Sequence, residues 1–185
     1  VGDRDPFLLK YDTTGNLQWS RQFGTGAADL GLDVYADGHG SVFVSGATEG
    51  VLYGANAGRY DSFLSKYDDS GEHLWTRQYG TTGSDWGTGI AADSAGNAYL
   101  AGGTSHFTGS TITDEDAFLV KYDPDGNHLW TRMIGAGGQI VGADIVVNGT
   151  EVYVVGNKLQ GSGDWDSFLS SYNTGGEFLS YFQWG

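Results

Sequence analysis

The side chains of this sequence best suited to holding another molecule are flat aromatics interleaved with carboxylates and amides: Asp29, Glu49, Tyr53, Tyr60, Asp85, Trp86, His106, Phe107, Gln139 and Trp165. A sugar offers an apolar ring face and a rim of hydroxyls, so stacking rings beside hydrogen-bonding groups suit it. The blander role for the same rings is to cap the ends of the fold. Other constellations carry less chemistry. Asp123-x-Asp125-Gly126 opens like a calcium loop but lacks the further oxygen ligands and the distal glutamate at fixed spacing. The corresponding stretches, Asp12-Thr13-Thr14-Gly15 and Asn173-Thr174-Gly175-Gly176, have the composition of turns. No resident cofactor or metal is therefore expected, and at most loosely bound Ca²⁺ on an acidic surface. His73 and His128 match each other in position while His39 and His106 stand apart, which is no metal-ligand spacing. Asn148-Gly149-Thr150 satisfies a glycosylation sequon, but Asn-Gly is also a type I′ hairpin pair.

Those loop residues are positioned by an internal repeat. Asp-x-Phe recurs at Asp5, Asp61, Asp116 and Asp166, giving periods of 56, 55 and 50 residues. In register with it stand Tyr11, Tyr67, Tyr122 and Tyr172, then Gly15, Gly71, Gly126 and Gly176. Trp19, Trp75 and Trp130 follow, and after them Arg21, Arg77 and Arg132. Alternation within each unit reads as four short strands, here A to D, joined by Asp- and Gly-rich turns. The first C strand spans Leu32 to Ala36, and the first D strand Val42 to Ser45. The repeats run 5–60, 61–115 and 116–165, with a half repeat at 166–185, fourteen strands in one partial domain over 1–185. Each unit is expected to be one four-stranded meander. Such a sheet cannot cover both faces alone, so units must stack, and radial stacking is the β-propeller solution. A ring of seven does not close on this count. Val1-Gly2-Asp3-Arg4 reads as the tail of a D to A loop, so further blades of a parent chain are expected, with self-association as the alternative.

Composition narrows the classes. Hydrophobic residues make up 39% of 185 and aromatics 14%, enough for a core. With 32 glycines, 2 prolines and no helical periodicity, an all-β fold follows. A net charge of −14 repels phosphate backbones and anionic lipid, so nucleic acid is excluded as a partner, and no 18-residue apolar span suggests membrane insertion. The absence of cysteine excludes a disulfide framework without fixing a compartment.

The run from Asp116 to Arg132, with Gly87-x-Gly89-Ile90-Ala91-x-Asp93-x-x-Gly96-Asn97-x-Tyr99-x-Ala101-Gly102, resembles the SBBP repeat of bacterial and archaeal seven-bladed β-propellers. The resemblance covers essentially the whole chain, departing at Gly138 to Asp144. The turn followed by Trp and Gly is also similar to the tryptophan-docking motif of quinoprotein propellers, which implies that Trp19, Trp75 and Trp130 pack against neighbouring blades. Neither the tighter Asp-Gly-Trp spacing of a sialidase Asp-box nor a central quinone site is present. The repeated Lys10, Lys66, Lys121 and the three arginines are expected to pair with Asp5, Asp61, Asp116 or with turn carboxylates.

Length varies mainly in the D to A loops, with 15, 14 and 10 residues from Gly46 to Asp61, Gly102 to Asp116 and Gly156 to Asp166. Variable loops on a rigid scaffold are where binding concentrates. The expectation is a non-enzymatic, prokaryotic extracellular or cell-surface module that recognises a protein or glycan through its D to A and B to C loops. The alternatives are blades of a larger secreted enzyme, which hydrolase activity would reveal, and a structural element of a surface layer or filament, which ligand-free self-association would reveal.

Overall fold

A computed structural model describes residues 2–108, 111–135, 140–159 and 163–185, with residues 106–108 and 111–115 described by backbone alone. Fourteen strands appear in order: β1 (Phe7–Tyr11), β2 (Leu17–Gln22), β3 (Asp29–Ala36), β4 (Ser41–Thr48), β5 (Asp61–Asp68), β6 (His73–Tyr79), β7 (Ser84–Ala92), β8 (Ala98–Thr108), β9 (Thr111–Tyr122), β10 (His128–Ile134), β11 (Ile140–Asn148), β12 (Glu151–Leu159), β13 (Trp165–Asn173) and β14 (Phe178–Trp184). Among the described residues there is no helix. All pairings within sheets are antiparallel between sequence neighbours.

The sheets are out of step with the sequence repeat by two strands. The complete sheets are β3–β6, β7–β10 and β11–β14, and the half sheet is β1–β2, at the start rather than the end. Each meander thus joins the C and D strands of one repeat to the A and B strands of the next. The connections decide this. The D to A segment returns as a hairpin, so A pairs with D, Phe63 lying opposite Gly46. Only residues 80–83 separate β6 from β7, and the chain turns there into the next sheet. C strands also begin earlier than alternation suggests, because a bulge at Gly31/Asp33 shifts the register and hides the strand's first residues from a period-two reading.

In the complete sheets the A strands are largely buried on both faces, since alternate side chains serve different neighbours. Phe63 and Tyr67 pack back onto Leu8, Trp19 and Phe23 of the half sheet. Leu64 packs forward with Phe43, Trp75, Ile90, Leu100 and Phe118. Tyr99, Leu119, Ile145, Val154 and Phe168 fill the last interface. Strands β3, β7 and β11 touch one another along the inner edge, where the Ile90 amide donates to Asp33 Oδ2 at 2.9 Å. The outer strands carry the tryptophans.

Each indole reaches the A–B turn of the following sheet. Nε1 of Trp19, Trp75 and Trp130 donates to the carbonyls of Asp69, Pro124 and Thr174 at 3.0, 3.0 and 3.3 Å. Lys10, Lys66 and Lys121 donate to the same three oxygens at 2.9, 3.0 and 2.9 Å. Arg21 and Arg132 Nε donate to Gly71 and Gly176 carbonyls at 2.6 Å, and Arg77 does so to Gly126. Each guanidinium also lies over its indole, 5.4 to 5.7 Å from the ring centroid.

These cations therefore serve backbone carbonyls rather than the repeated carboxylates. Among the described residues Lys10 adds an ion pair with turn residue Asp69, and Lys121 lies 3.6 Å from Asp93. Asp61 sits at the opposite end of β5 from the turn, five residues or about 16 Å from Lys66. There it accepts hydrogen bonds from the Ala57 and Gly58 amides and from Gln78.

Replacing Trp75 with alanine removes a buried ring and is expected to cost about 3 to 5 kcal/mol in a denaturant titration. Trp75→Phe, which loses the Nε1 donor and part of the ring while keeping an aromatic in place, should cost less, about 1 to 3 kcal/mol.

The turn glycines give a paired test. A Cβ at Gly126 would stand 2.8 Å from the Trp75 ring, whereas one at Gly15 meets nothing, and both backbones are left-handed, at φ 79° and 85°. Gly15→Ala should cost about 1 kcal/mol from backbone strain alone. Gly126→Ala should cost at least about 1 kcal/mol more, because the indole must move. Equal losses in parallel melts would remove the packing component.

Candidate functional site

The D–A and B–C connections share one end of the sheets, where parallel bridges join Arg4 to Ala28 and Tyr60 to Ser84. Within that end, Asp29 and Asp85 are frame rather than surface. Both are buried, at 1% and 0% exposure. Asp29 accepts from the Thr25 amide at 2.6 Å, from the Thr25 hydroxyl at 2.9 Å and from Thr48. Asp85 accepts from the Thr81 amide at 2.7 Å, and the Thr81 hydroxyl lies 3.0 Å from that of Thr104. Burial pushes the Asp85 carboxyl up, with the threonine bonds working against it. These two carboxylates turn the chain from one sheet into the next, and both are closed off from solvent. Their recurrence as Thr-x-x-x-Asp in successive repeats was the signal for a frame role. In the last sheet Ile140 takes the station, buried at 1%, beside Ile134.

Four other residues do come together. The Tyr60 and Trp86 rings lie 4.8 Å apart at an interplanar angle of 32°. The Arg59 guanidinium lies 5.7 Å from the Tyr60 centroid, and its Nε is 3.7 Å from Glu49 Oε1. Burial first, and then the Glu49 carboxylate that accepts its hydroxyl proton, push the Tyr60 phenol up. Glu49, Arg59 and Tyr60 come from the β4–β5 loop and Trp86 from the start of β7. Side chains from two sheets thus build one patch of ring, carboxylate and guanidinium, with Arg59 mostly exposed. The Trp86 indole also walls a largely apolar pocket of about 350 Å³ with Leu32, Thr88 and Val141 on the inner strands of the three complete sheets and Thr104 on β8.

The remaining candidates are dispersed. Tyr53 is exposed and lies over β6, 4.7 Å from the Arg77 guanidinium, and the Leu52 and Tyr53 amides donate to Gln78 Oε1. Trp165 stands half exposed at the start of β13. The backbones of His106 and Phe107 pair with Asp114 and Ile112, but their side chains, like all of Gln139, lie outside the described residues. Arg59 was missed by sequence reasoning. As one of three cations outside the repeated stations, and on a variable loop of an acidic chain, it carried a usable signal.

The turn carboxylates are occupied by their own turns. Asp123 Oδ1 accepts from the Asp125 and Asn127 amides at 3.0 and 2.7 Å. Hydrogen bonds led by the Thr14 hydroxyl hold Asp12 down to about 2. Asp68 and Asp123 are lowered in the same way, led by the Ser70 hydroxyl and the Asn127 amide. Among the described residues no three of His, Cys, Asp and Glu gather as a metal site would require, and no helix is long and apolar enough to cross a membrane.

Consecutive four-stranded antiparallel sheets, stacked face to face and tied at the outer strand, define a β-propeller, here a partial one of three complete sheets and a half. Residues 74–107 match the SBBP family, a β-propeller repeat. The chain is 35% identical to the regulatory protein FlaEY of Caulobacter vibrioides over 185 residues, covering 90% of this chain and 19% of that protein. It is 29% identical over 113 residues to an uncharacterized WD repeat-containing protein, L264, of Acanthamoeba polyphaga mimivirus, covering 54% of this chain and 8% of the relative. The chain thus spans under a fifth of the length of either relative.

The turn aspartates set a direction for acid stability. Their folded pKa values lie below the ordinary 3.8, so the stability they contribute is present above 3.8 and is lost as pH falls through the folded values, towards 2 for Asp12. Thermal melts between about pH 5 and about pH 2 should show the midpoint falling across that window. A flat profile would dismiss the turns as its source.

Proposed function

We propose that this chain is a non-enzymatic binding module, exposed outside a prokaryotic cell or on its surface, that recognises its ligand through the Glu49–Arg59–Tyr60–Trp86 patch. The observation that carries the reading is the convergence of these four side chains from two sheets onto the loop end of a rigid scaffold. A glycan suits the patch best: a pyranose ring stacks on the open part of the half-buried indole or phenol, while Glu49 accepts and Arg59 donates to its hydroxyls. The adjoining pocket beside Trp86, walled by Leu32 and Val141, has room for an apolar substituent such as an acetyl methyl. The name of the Caulobacter relative, a regulatory protein, is in keeping with recognition rather than turnover.

A glycan array followed by tryptophan-fluorescence titration of the best hit tests this. Trp86→Ala should weaken binding at least tenfold, about 1.4 kcal/mol, while Trp165→Ala leaves it unchanged. Binding unaffected by Trp86→Ala, or no glycan bound at all, would overturn the assignment, the latter in favour of a protein ligand.

A further inference from the structure

The half sheet has an unsatisfied edge whose missing neighbour can be specified from the three complete sheets. In those sheets the A-strand phenylalanine lies opposite a D-strand glycine: Phe63 and Gly46, Phe118 and Gly102, Phe168 and Gly156. A side chain in place of that glycine would meet first the C-strand carbonyl of its own hairpin, Leu30, Trp86 or Val141, and then the A-strand ring. A Cβ would stand 2.9 Å from the Phe63 ring at Gly46, and 2.6 Å from the rings of Phe118 and Phe168 at Gly102 and Gly156. All three phenylalanines are fully buried, whereas Phe7, at the same station of β1, is 71% exposed. Leu9 and Tyr11 on the same face are also exposed, as are Leu32 and Val34 on β3. Val34 corresponds to Ile90 and Ile145, which the preceding sheet covers in the other two cases. Phe7, Leu9, Leu32 and Val34 line one open groove of about 640 Å³. Beside it, the Asp12–Gly15 turn offers the carbonyls that receive Lys, Trp and Arg in the other sheets, with nothing within 4 Å of a Cβ at Gly15.

We propose that the β1 edge and this groove form a binding site for a β-hairpin of the β3–β4 type, supplied by polypeptide outside these 185 residues and carrying glycine opposite Phe7. One strand of the hairpin pairs with β1, as β4 does with β5, and the other covers Leu32 and Val34. A second copy of the chain does not fit. Its three such hairpins already pair with β5, β9 and β13. Its final sheet would present Ser171, Ser180 and Phe182 where Lys, Trp and Arg dock, and the two serines are hydrogen-bonded to each other at 2.7 Å. The Caulobacter relative, of which this chain spans 19%, shows that a related protein has ample polypeptide for such a hairpin.

The test appends a second copy of residues 29–60 directly ahead of Asp5, which corresponds to the Asp61 that follows this segment in the chain. The fusion should melt above the native chain, and hydrogen exchange at β1 should slow at least tenfold. The same fusion with Phe7→Asp should show neither effect, because the carboxylate would have to be buried under the appended hairpin, whereas Phe7→Asp in the native chain, where that side chain is exposed, should leave the melt unchanged. Unchanged exchange at β1 in the first fusion, or equal protection in the Phe7→Asp fusion, would overturn the proposal. A native chain that is dimeric in solution with β1 already protected would overturn it in favour of self-association.

Discussion

Everything in this fold depends on the attachment of one sheet to the next by an indole, an ammonium and a guanidinium that converge on two carbonyls of a four-residue turn. A four-stranded sheet has two faces to bury and too little chain to bury them, so each is stable only as part of a stack. Apolar packing between sheets supplies the bulk of the driving force but little orientation, since it is roughly proportional to area. Hydrogen bonds supply the orientation. Three donors, Lys10 on β1 and Trp19 and Arg21 on the β2 strand paired with it, meet Asp69 and Gly71, and the same geometry is repeated at Pro124 with Gly126 and at Thr174 with Gly176. Because the donors are charged or ring-bound and the acceptors are main chain, the attachment adds charge-assisted bonds without burying a carboxylate.

The loop end follows a different logic. Its carboxylates are divided between frame and surface, and the division is set by neighbouring threonines. Asp29 and Asp85 are drawn inward because a hydroxyl and an amide four residues earlier, and a hydroxyl across the sheet, satisfy them there. Glu49 lacks such a cage and stays at the rim, where it meets Arg59 and Tyr60. In an acidic chain this guanidinium, with Arg4 also at this end, turns a negative rim into a surface of both signs.

The repeat and the strand count were legible in the sequence because each is fixed by spacing alone; that Trp19, Trp75 and Trp130 pack against a neighbouring blade was implied by a resemblance, and the carbonyls that receive them were not foreseen. The strand that each A strand pairs with was less so. Alternation reports faces, not edges, and the choice between pairing with the preceding D strand or the following C strand lies in connector geometry that the Asp29 and Asp85 corners create. The cations were read as partners of Asp61 and its equivalents or of turn carboxylates because charge suggests charge; strand length separates Lys66 from Asp61, whereas Lys10 does pair with the turn carboxylate of Asp69. Asp29 and Asp85 were read as surface because acidic residues on loops usually are. Tyr60 and Trp86 were each legible as candidates, but their stacking across two sheets was not, and Arg59 went unremarked beside them.

The attachment is asymmetric: three specific side chains reach forward, and what receives them is peptide backbone behind a glycine. Turns as unlike as Asp-Asp-Ser-Gly, Asp-Pro-Asp-Gly and Asn-Thr-Gly-Gly all serve as receivers. A socket made of main chain makes little demand on which residues surround it, so a blade carrying the donor triplet can be duplicated, deleted or transplanted and still find a seat. Modularity of this kind belongs to the joint rather than to the blade.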